Sequence, residues 1–326
     1  MMGNFVKDTL RLLKPEWNIL ACCFRNRKLR NLLLIGIFCI SYAQADEMTV
    51  SYGLGVRNDS LRWSIATDLI GTPPNILSEL TWRKLQGRED HLGFEYIATS
   101  GWAGRITLNL AQFDQGGEIQ DSDYQFNNRG GEFSRSLSAT HGSNAQDLAL
   151  IIGKQVYTSA DEELQITPVI GLASNVIDLH MNEGVQTIPA TGPFAGLESS
   201  YRAQFSSTLV GMEARWWFAQ PFGLDLKWHH QWFTYHADAD WNMRADFMHP
   251  VSFNQDGDGV DNRWTLGLLA RLNKSWTMEL AHTIRNGLFR NGRDVLYLAN
   301  GVQERTLLHD VEWTSVATSL LVNRKF

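Results

Sequence analysis

Alternation with a period of two residues is the feature that most restricts what this chain can become. Arg105-Ile106-Thr107-Leu108-Asn109-Leu110-Ala111 sets Ile106, Leu108 and Leu110 on one face and Arg105, Thr107 and Asn109 on the other. Successive side chains of a strand point to opposite faces, so the pattern describes an extended chain with one apolar and one polar surface. The same device recurs over 223–229, where Asp225, Lys227 and His229 oppose Leu224, Leu226 and Trp228, and again over 276–280 and 315–322. Helical periodicity is scarce. The longest apolar run, Leu32 to Ile40, is too short for the ~18 residues of a membrane-spanning helix.

That run has its own meaning. Lys28 and Arg30 precede it, and Ser41-Tyr42-Ala43-Gln44-Ala45 follows it with a small-x-small ending. This is the layout of a secretory leader, whose apolar stretch is roughly 7–15 residues, so cleavage is expected before Asp46. Residues 1–45 are therefore read as a leader and 46–326 as one β domain. All three cysteines (Cys22, Cys23 and Cys39) fall in the leader, which removes disulfides, thiolate metal sites and cysteine nucleophiles from the exported part. The whole chain carries a net charge of -6, which excludes a basic nucleic-acid footprint. The leader holds 7 Lys+Arg and 2 Asp+Glu, so the remainder carries net -11. An acidic, exported chain without cysteine fits the Gram-negative envelope.

Alternation alone does not separate a membrane barrel from a soluble periplasmic β-sandwich, because each pattern is the other inverted. Tryptophans near the expected strand ends (Trp63, Trp82, Trp102, Trp216, Trp217, Trp276) favour the barrel, where they would form girdles at the interfaces. So do the short turns around 100–102, 219–222 and 273–275, which alternate with long polar segments. The terminal Phe326 favours it too, as an aromatic end suited to barrel-assembly machinery, although Arg324 stands where an apolar residue is usual. The expected fold is all-β, a ten-stranded antiparallel transmembrane β-barrel. Its strands run over roughly 48–68, 76–98, 103–116, 147–158, 163–182, 201–218, 223–240, 262–272, 276–290 and 306–326. The long extracellular loops are then 69–75, 117–146, 183–200, 241–261 and 291–305. Several strands exceed the ~9–11 residues that cross a bilayer, so the barrel should project beyond it. Its interior should be filled by paired charges (Arg105, Asp225, Lys227, Arg263, Arg271, Glu279, Arg285), which disfavours a general diffusion porin.

Five polar constellations carry potential chemistry. Asp121-Ser122-Asp123 opens the second long loop, and His236-Ala237-Asp238-Ala239-Asp240 ends the seventh strand. Spacing of two puts each set on one strand face, where carboxylates and a base can hold a water; the simpler alternative is an acidic rim that keeps loops solvated or binds cations. Asn254 to Asp261 imitates the start of a calcium loop through Asp256, Asp258 and Asp261, but Thr265 stands where the closing Glu belongs, so an Asx/Gly turn is the better reading. His229 and His230 point to opposite faces and do not chelate one metal together. A serine triad on His141 lacks the G-x-S-x-G elbow.

The ten-strand, five-loop arrangement resembles the omptins, outer-membrane aspartic endopeptidases, over nearly the whole of 46–326. Local matches are Leu77-Ser78-Glu79-Leu80-Thr81-Trp82, Tyr201-Arg202-Ala203-Gln204-Phe205 and, most specific, Gln120-Asp121-Ser122-Asp123-Tyr124. The resemblance implies a water-activating site from Asp121 and Asp123 together with an Asp and a His two residues apart on the seventh strand. Asp238 falls on that Asp, but Asp240 falls on the His. A carboxylate is a much weaker base than imidazole, with unperturbed pKa values of ~3.9 against ~6.5. Hence the first expectation is a non-proteolytic surface barrel whose acidic mouth binds a cation, peptide or surface ligand. The alternative is an active endopeptidase using Asp121, Asp123, Asp238 and Asp240 with His236, acting on basic peptides steered by the negative charge. The resemblance also implies lipopolysaccharide as a partner and activating lipid. The family's lipid A arginine falls on Gln204, leaving Arg202 as the nearest cation. Strict alternation from Leu224 puts Asp238 on the lipid-facing parity, so an inward Asp238 requires a β-bulge.

Overall fold

The structure, a computed structural model, describes residues 46–326; the leader expected over 1–45 lies outside the described residues. Thirteen strands follow in order: β1 (Glu47–Ile65), β2 (Ser78–Ile97), β3 (Trp102–Gln112), β4 (Glu118–Phe126), β5 (Gly130–Ala139), β6 (Asn144–Lys154), β7 (Tyr157–Thr158), β8 (Leu164–Ile188), β9 (Gly192–Ala219), β10 (Phe222–Asp240), β11 (Phe253–Arg271), β12 (Trp276–Tyr297) and β13 (Gln303–Lys325). Ten of them close a ring of antiparallel neighbours, β1-β2-β3-β6-β8-β9-β10-β11-β12-β13, and β13 returns to β1 from Thr49↔Lys325 to Ile65↔Leu308. Closure leaves the ring no free edge, so backbone N–H and C=O groups find partners without water.

The ring and its outward apolar surface exclude the sandwich. Leu54, Val56, Ile106, Ile152, Ile170, Leu172, Leu226, Leu266, Leu268 and Leu320 are all exposed. In the expected loops the structure departs from the sequence reading. Segment 117–146 is mostly the β4–β5 hairpin, which continues the wall above β3 and β6. β2 pairs with β3 over Arg88–Ile97 and with β4 over Ser78–Arg83. β8 likewise pairs first with β6 and then with β5. Segments 183–200 and 291–305 are also largely strand, as is the 253–261 part of 241–261, and the main stretches without a strand at this end are 66–77 and 241–252. These segments read as loops because their outward side chains are polar, and strand pairing that supplies their hydrogen bonds comes from chain far away.

A change of polarity with height governs the interior. On β10 the residues of one parity are Asp225, His229 and Gln231, then Phe233, Tyr235, Ala237 and Ala239, all buried. The opposite parity reads Leu226, Trp228, His230 and Trp232, then Thr234, His236, Asp238 and Asp240, so that His230 is its one polar side chain below the change. Alternation is never interrupted, but the two faces exchange character just beyond Trp232. Within the belt, lipid takes the apolar face and the lumen takes charges. Beyond it water meets the outer face, and the lumen becomes an apolar core driven by ordinary hydrophobic burial.

The lower lumen is held by ion pairs. Arg57 donates to Asp59 (2.8 Å), Glu89 (3.3 Å) and Asp147 (2.7 Å). Arg285 pairs with Asp261 and stacks over Trp313 at 3.9 Å. Arg105 pairs with Glu213 and with Glu95, while Lys227 and Arg215 meet Asp225 at 3.3 and 2.9 Å. Arg271 stands apart from this network, over the Trp217 ring at 4.0 Å. His229 is buried beside Glu213, and His230 on the opposite face lies 3.0 Å from Asn262. The upper lumen is packed by Leu80, Trp82, Tyr201, Phe205, Phe233, Phe289 and Trp313. Trp63 and Trp82 therefore belong to the core and not to the girdle, whereas Trp102 and Trp216 are exposed near the short turns.

Removing Arg57 strands three carboxylates in the lumen. Arg57→Leu should cost about 3–5 kcal/mol, read as a lowered urea midpoint of the detergent-folded barrel. Arg88→Gln, whose exposed pair with Asp114 spans 3.2 Å, should change it by no more than ~1 kcal/mol.

Candidate functional site

At the outer mouth, β4 carries Asp121 and Asp123. Asp121 stands opposite Leu80 of β2 and Ser136 of β5, and Asp123 opposite Ser78 and Ser134. Directly paired residues share a face of the sheet. Leu80 and Ile119 belong to the core, so both carboxylates project to the interior, one and two rungs above the Trp82–Ile119 pair. Beneath them lies an aromatic floor, in which Trp82 and Trp63 meet Tyr201 with ring centroids 5.0 and 6.2 Å away, and Trp63 and Trp241 meet Phe253 at 5.7 and 4.8 Å. Burial, reinforced by the neighbouring Asp123 charge, pushes the Asp121 carboxyl up to about 7, with Arg244 acting in the opposite direction.

Arg244 comes from the loop 241–252, clamped by both oxygens of Asp246 (2.9 and 2.8 Å) and lying over Phe247 at 3.9 Å. That loop is tied down at several points, with Met248 donating to Tyr297, Ala299 to Asp246 and Trp241 to the Ser252 hydroxyl. A second acid, Asp294 of β12, is buried beneath it. It accepts from Gln255 (3.0 Å) and Thr306 (3.3 Å), and burial pushes it up to about 6. Gln255 in turn accepts from Tyr201 at 2.6 Å, which links this acid to the aromatic floor.

The five residues proposed as one catalytic cluster do not share a face. The pairing of β10 with β11 runs from Phe222 to Ala239 without a shift, and with β9 it is continuous above Leu224. No bulge re-aims Asp238. It stands opposite Arg202, which is exposed and bonded to Asp178 at 2.7 Å, on the outer wall. His236 on the same wall lies 2.8 Å from Asp256 and 3.4 Å from Asp238, and Asp240 lies 2.5 Å from His249. The β10 positions that face the mouth interior are Ala237 and Ala239. Asp121 and Asp123 thus have no inward carboxylate–imidazole pair on β10 to work with.

The calcium-loop resemblance of residues 254–261 also dissolves into strand. Asp256 and Asp258 lie on the outer parity of β11, while Asp261 is buried inside against Arg285. Asp256 is occupied by His236 and by Arg293 at 2.8 Å. The intervening glycines serve packing, since a Cβ at Gly257 would come within 2.4 Å of Phe289 and one at Gly259 within 2.5 Å of Phe233. Among the described residues no group of three or more His, Cys, Asp or Glu is placed to hold a metal ion. His141 is exposed, and its charged neighbour is Glu183 at 3.8 Å, which gives no triad.

The site features that sequence reasoning missed are the aromatic floor, Arg244 and Asp294. Continuing the alternation of β10 beyond Trp232 would have found the apolar core that adjoins the floor, because Phe233 and Tyr235 fall on the parity of Asp225. Arg244 had no local signature, since it reaches the mouth only through the fold of its loop.

Comparison with known proteins agrees with this architecture. The chain is similar to the outer membrane protease OmpT from Escherichia coli, with 10% sequence identity, a TM-score of 0.74, and coverage of 88% of this chain and 99% of that one. It also matches the outer membrane protein OprG from Pseudomonas aeruginosa at 10% identity, covering 86% of this chain and 96% of the other, with a TM-score of only 0.35. At this identity the likeness to OmpT concerns the fold. No curated protein sequence matches the chain. A family model described as Protochlamydia outer membrane protein matches residues 51–326. By that match the chain belongs to the Protochlamydia outer membrane protein family, and it is an omptin-like β-barrel of the bacterial outer membrane.

Proposed function

We propose that the protein is a non-proteolytic surface barrel whose acidic mouth receives the basic groups of a peptide or other extracellular ligand. The observation that carries this reading is the identity of the inward positions on β10, Ala237 and Ala239. General-base activation of water needs a proton acceptor within hydrogen-bond reach, and a methyl group offers none. Asp121 and Asp123 remain as a pair of inward acids, with Arg244 as the opposing charge. Such a pair over aromatic rings suits an ammonium or guanidinium group, which carboxylates attract and ring faces tolerate. The negative charge of the exported part would steer basic ligands toward it. The filled lumen argues against diffusion through the barrel. Export by the 1–45 leader, insertion by barrel-assembly machinery and a setting among lipopolysaccharide complete the reading.

Protein refolded with lipopolysaccharide should leave dibasic peptides intact from pH 5 to pH 9 and should bind them by tryptophan fluorescence, with binding weakened in Asp121→Asn. Cleavage that disappears in Asp121→Ala would establish the rival endopeptidase instead. Planar-bilayer recordings should show no stable open channel.

The raised Asp121 pKa has a signed consequence for stability. The folded state holds this proton more tightly than the unfolded state, so the carboxylate weakens the fold as pH rises from the usual carboxylate range through about 7. Asp121→Asn should therefore stabilise the barrel at pH 8, by about 1–3 kcal/mol after allowing for solvent at the mouth, and make little difference at pH 4. Urea titrations at the two pH values check this.

A further inference from the structure

Asp121 and Asp123 are unlike the acids deeper in the barrel. Asp59, Asp147, Asp225 and Asp261 each meet an arginine, and Asp294 accepts two hydrogen bonds. Neither Asp121 nor Asp123 has a hydrogen bond or an ion pair among the described residues. The Arg244 guanidinium acts on both through its charge, but it is taken up by the two oxygens of Asp246. The side chains that flank the acids are mostly small. Ser78 and Ser134 stand on either side of Asp123, and Leu80 and Ser136 on either side of Asp121. Apart from the buried Leu80 all of these are partly exposed, so the slot along β4 opens to water at the mouth. Its lower end is closed by the Trp82–Ile119–Ser138 rung. Ser138, on the same inward face, is only 8% exposed, and its Oγ has no hydrogen-bond partner among the described residues.

Spacing decides what fits such a slot. Residues 121 and 123 lie roughly 6.6–6.8 Å apart along the strand, twice the rise per residue, and their side chains leave the same face. Two like charges this close repel each other until a cation meets each. One ammonium group reaches one carboxylate and leaves the other uncompensated. Two ammonium groups at a matching separation satisfy both, through charge-assisted hydrogen bonds to each. A buried hydroxyl ordinarily finds a partner, and the Ser138 oxygen at the base is an acceptor for the lower ammonium group. The Trp82 ring beside it tolerates positive charge. Because the rung below closes the slot, the dication enters from the mouth.

We propose that the Asp121–Asp123 slot selects dications whose charged groups stand two strand residues apart, roughly 6.6–6.8 Å. A linear diamine and a peptide with basic residues at alternate positions share that chemistry. The proposal rests on the reading that the mouth receives basic groups, and it adds spacing as the selective feature. Calorimetry and tryptophan fluorescence on refolded, heat-modifiable barrels test it. The probes are linear diamines of two to eight carbons, butylamine, and the end-blocked isomers Gly-Lys-Ser-Lys-Gly and Gly-Lys-Lys-Ser-Gly. Affinity should peak at the four- or five-carbon diamine, about tenfold or more above butylamine, for the second charged contact. The alternating peptide should bind more tightly than its isomer. A length optimum among diamines with equal peptides assigns the slot to small diamines, and a preference between the peptides alone assigns it to peptides. Asp123→Asn should flatten the length dependence and bring the best diamine down to butylamine. Binding indifferent to carbon number, with the two peptides equal, would overturn the proposal and leave a basic-ligand mouth standing. Failure of every one of these cations to bind would remove both.

Discussion

The rest of the structure depends on the closure of one hydrogen-bonded ring. Because β13 returns to β1 along 17 opposed residue pairs, the walls need no water and no covering layer to satisfy their backbone. Side chains are then sorted purely by what lies on each side of the wall. Where that surrounding changes from lipid to water, the sorting reverses without any break in strand geometry. A wall that crosses the bilayer and continues beyond it thus becomes two barrels in series. The lower one has charges inside and the upper one has aromatic rings inside.

This division explains why the lumen is closed twice over. In the lower half, Arg57 and Arg105 bridge carboxylates from different strands, and Arg285 joins Asp261 to Asn175. Such buried pairs mainly fix geometry, since their desolvation offsets much of their attraction. In the upper half, burial of Trp82, Tyr201, Phe205 and Trp313 supplies the driving force. The mouth lies on top of that core, and its two inward acids rest against apolar surface. The inward residues at this end of β10 are alanines. The omptin-like fold is thus built with a packed apolar core directly below its mouth.

Much of the fold was legible in the residues. The alternation on 105–111, 223–229, 276–280 and 315–322 implied strands, and the ten-strand count followed from the spacing of turns. The opposed orientations of His229 and His230 followed from parity alone. Parity also indicated that Asp238 would need a bulge to face inward, and the uninterrupted pairing of β10 leaves it outside. The spans taken for loops were illegible for a physical reason. In 117–146 and 183–200 the outer face is solvated, so their polarity matched that of a loop, and only pairing with distant strands reveals the wall. The run 254–261 misled for a related reason, since its glycines answer to Phe289 and Phe233 rather than to a cation.

The sequence by itself determined the extended conformation, the existence of two faces on each strand and the apolar belt, because these depend on side chains two residues apart. Only the tertiary structure decided which acids share a space. Asp121 faces the interior because Leu80 and Ser136 oppose it, and Asp238 faces outward because Arg202 does. Those partners lie tens of residues away along the chain, and the register that joins them is set by closure of the ring as a whole.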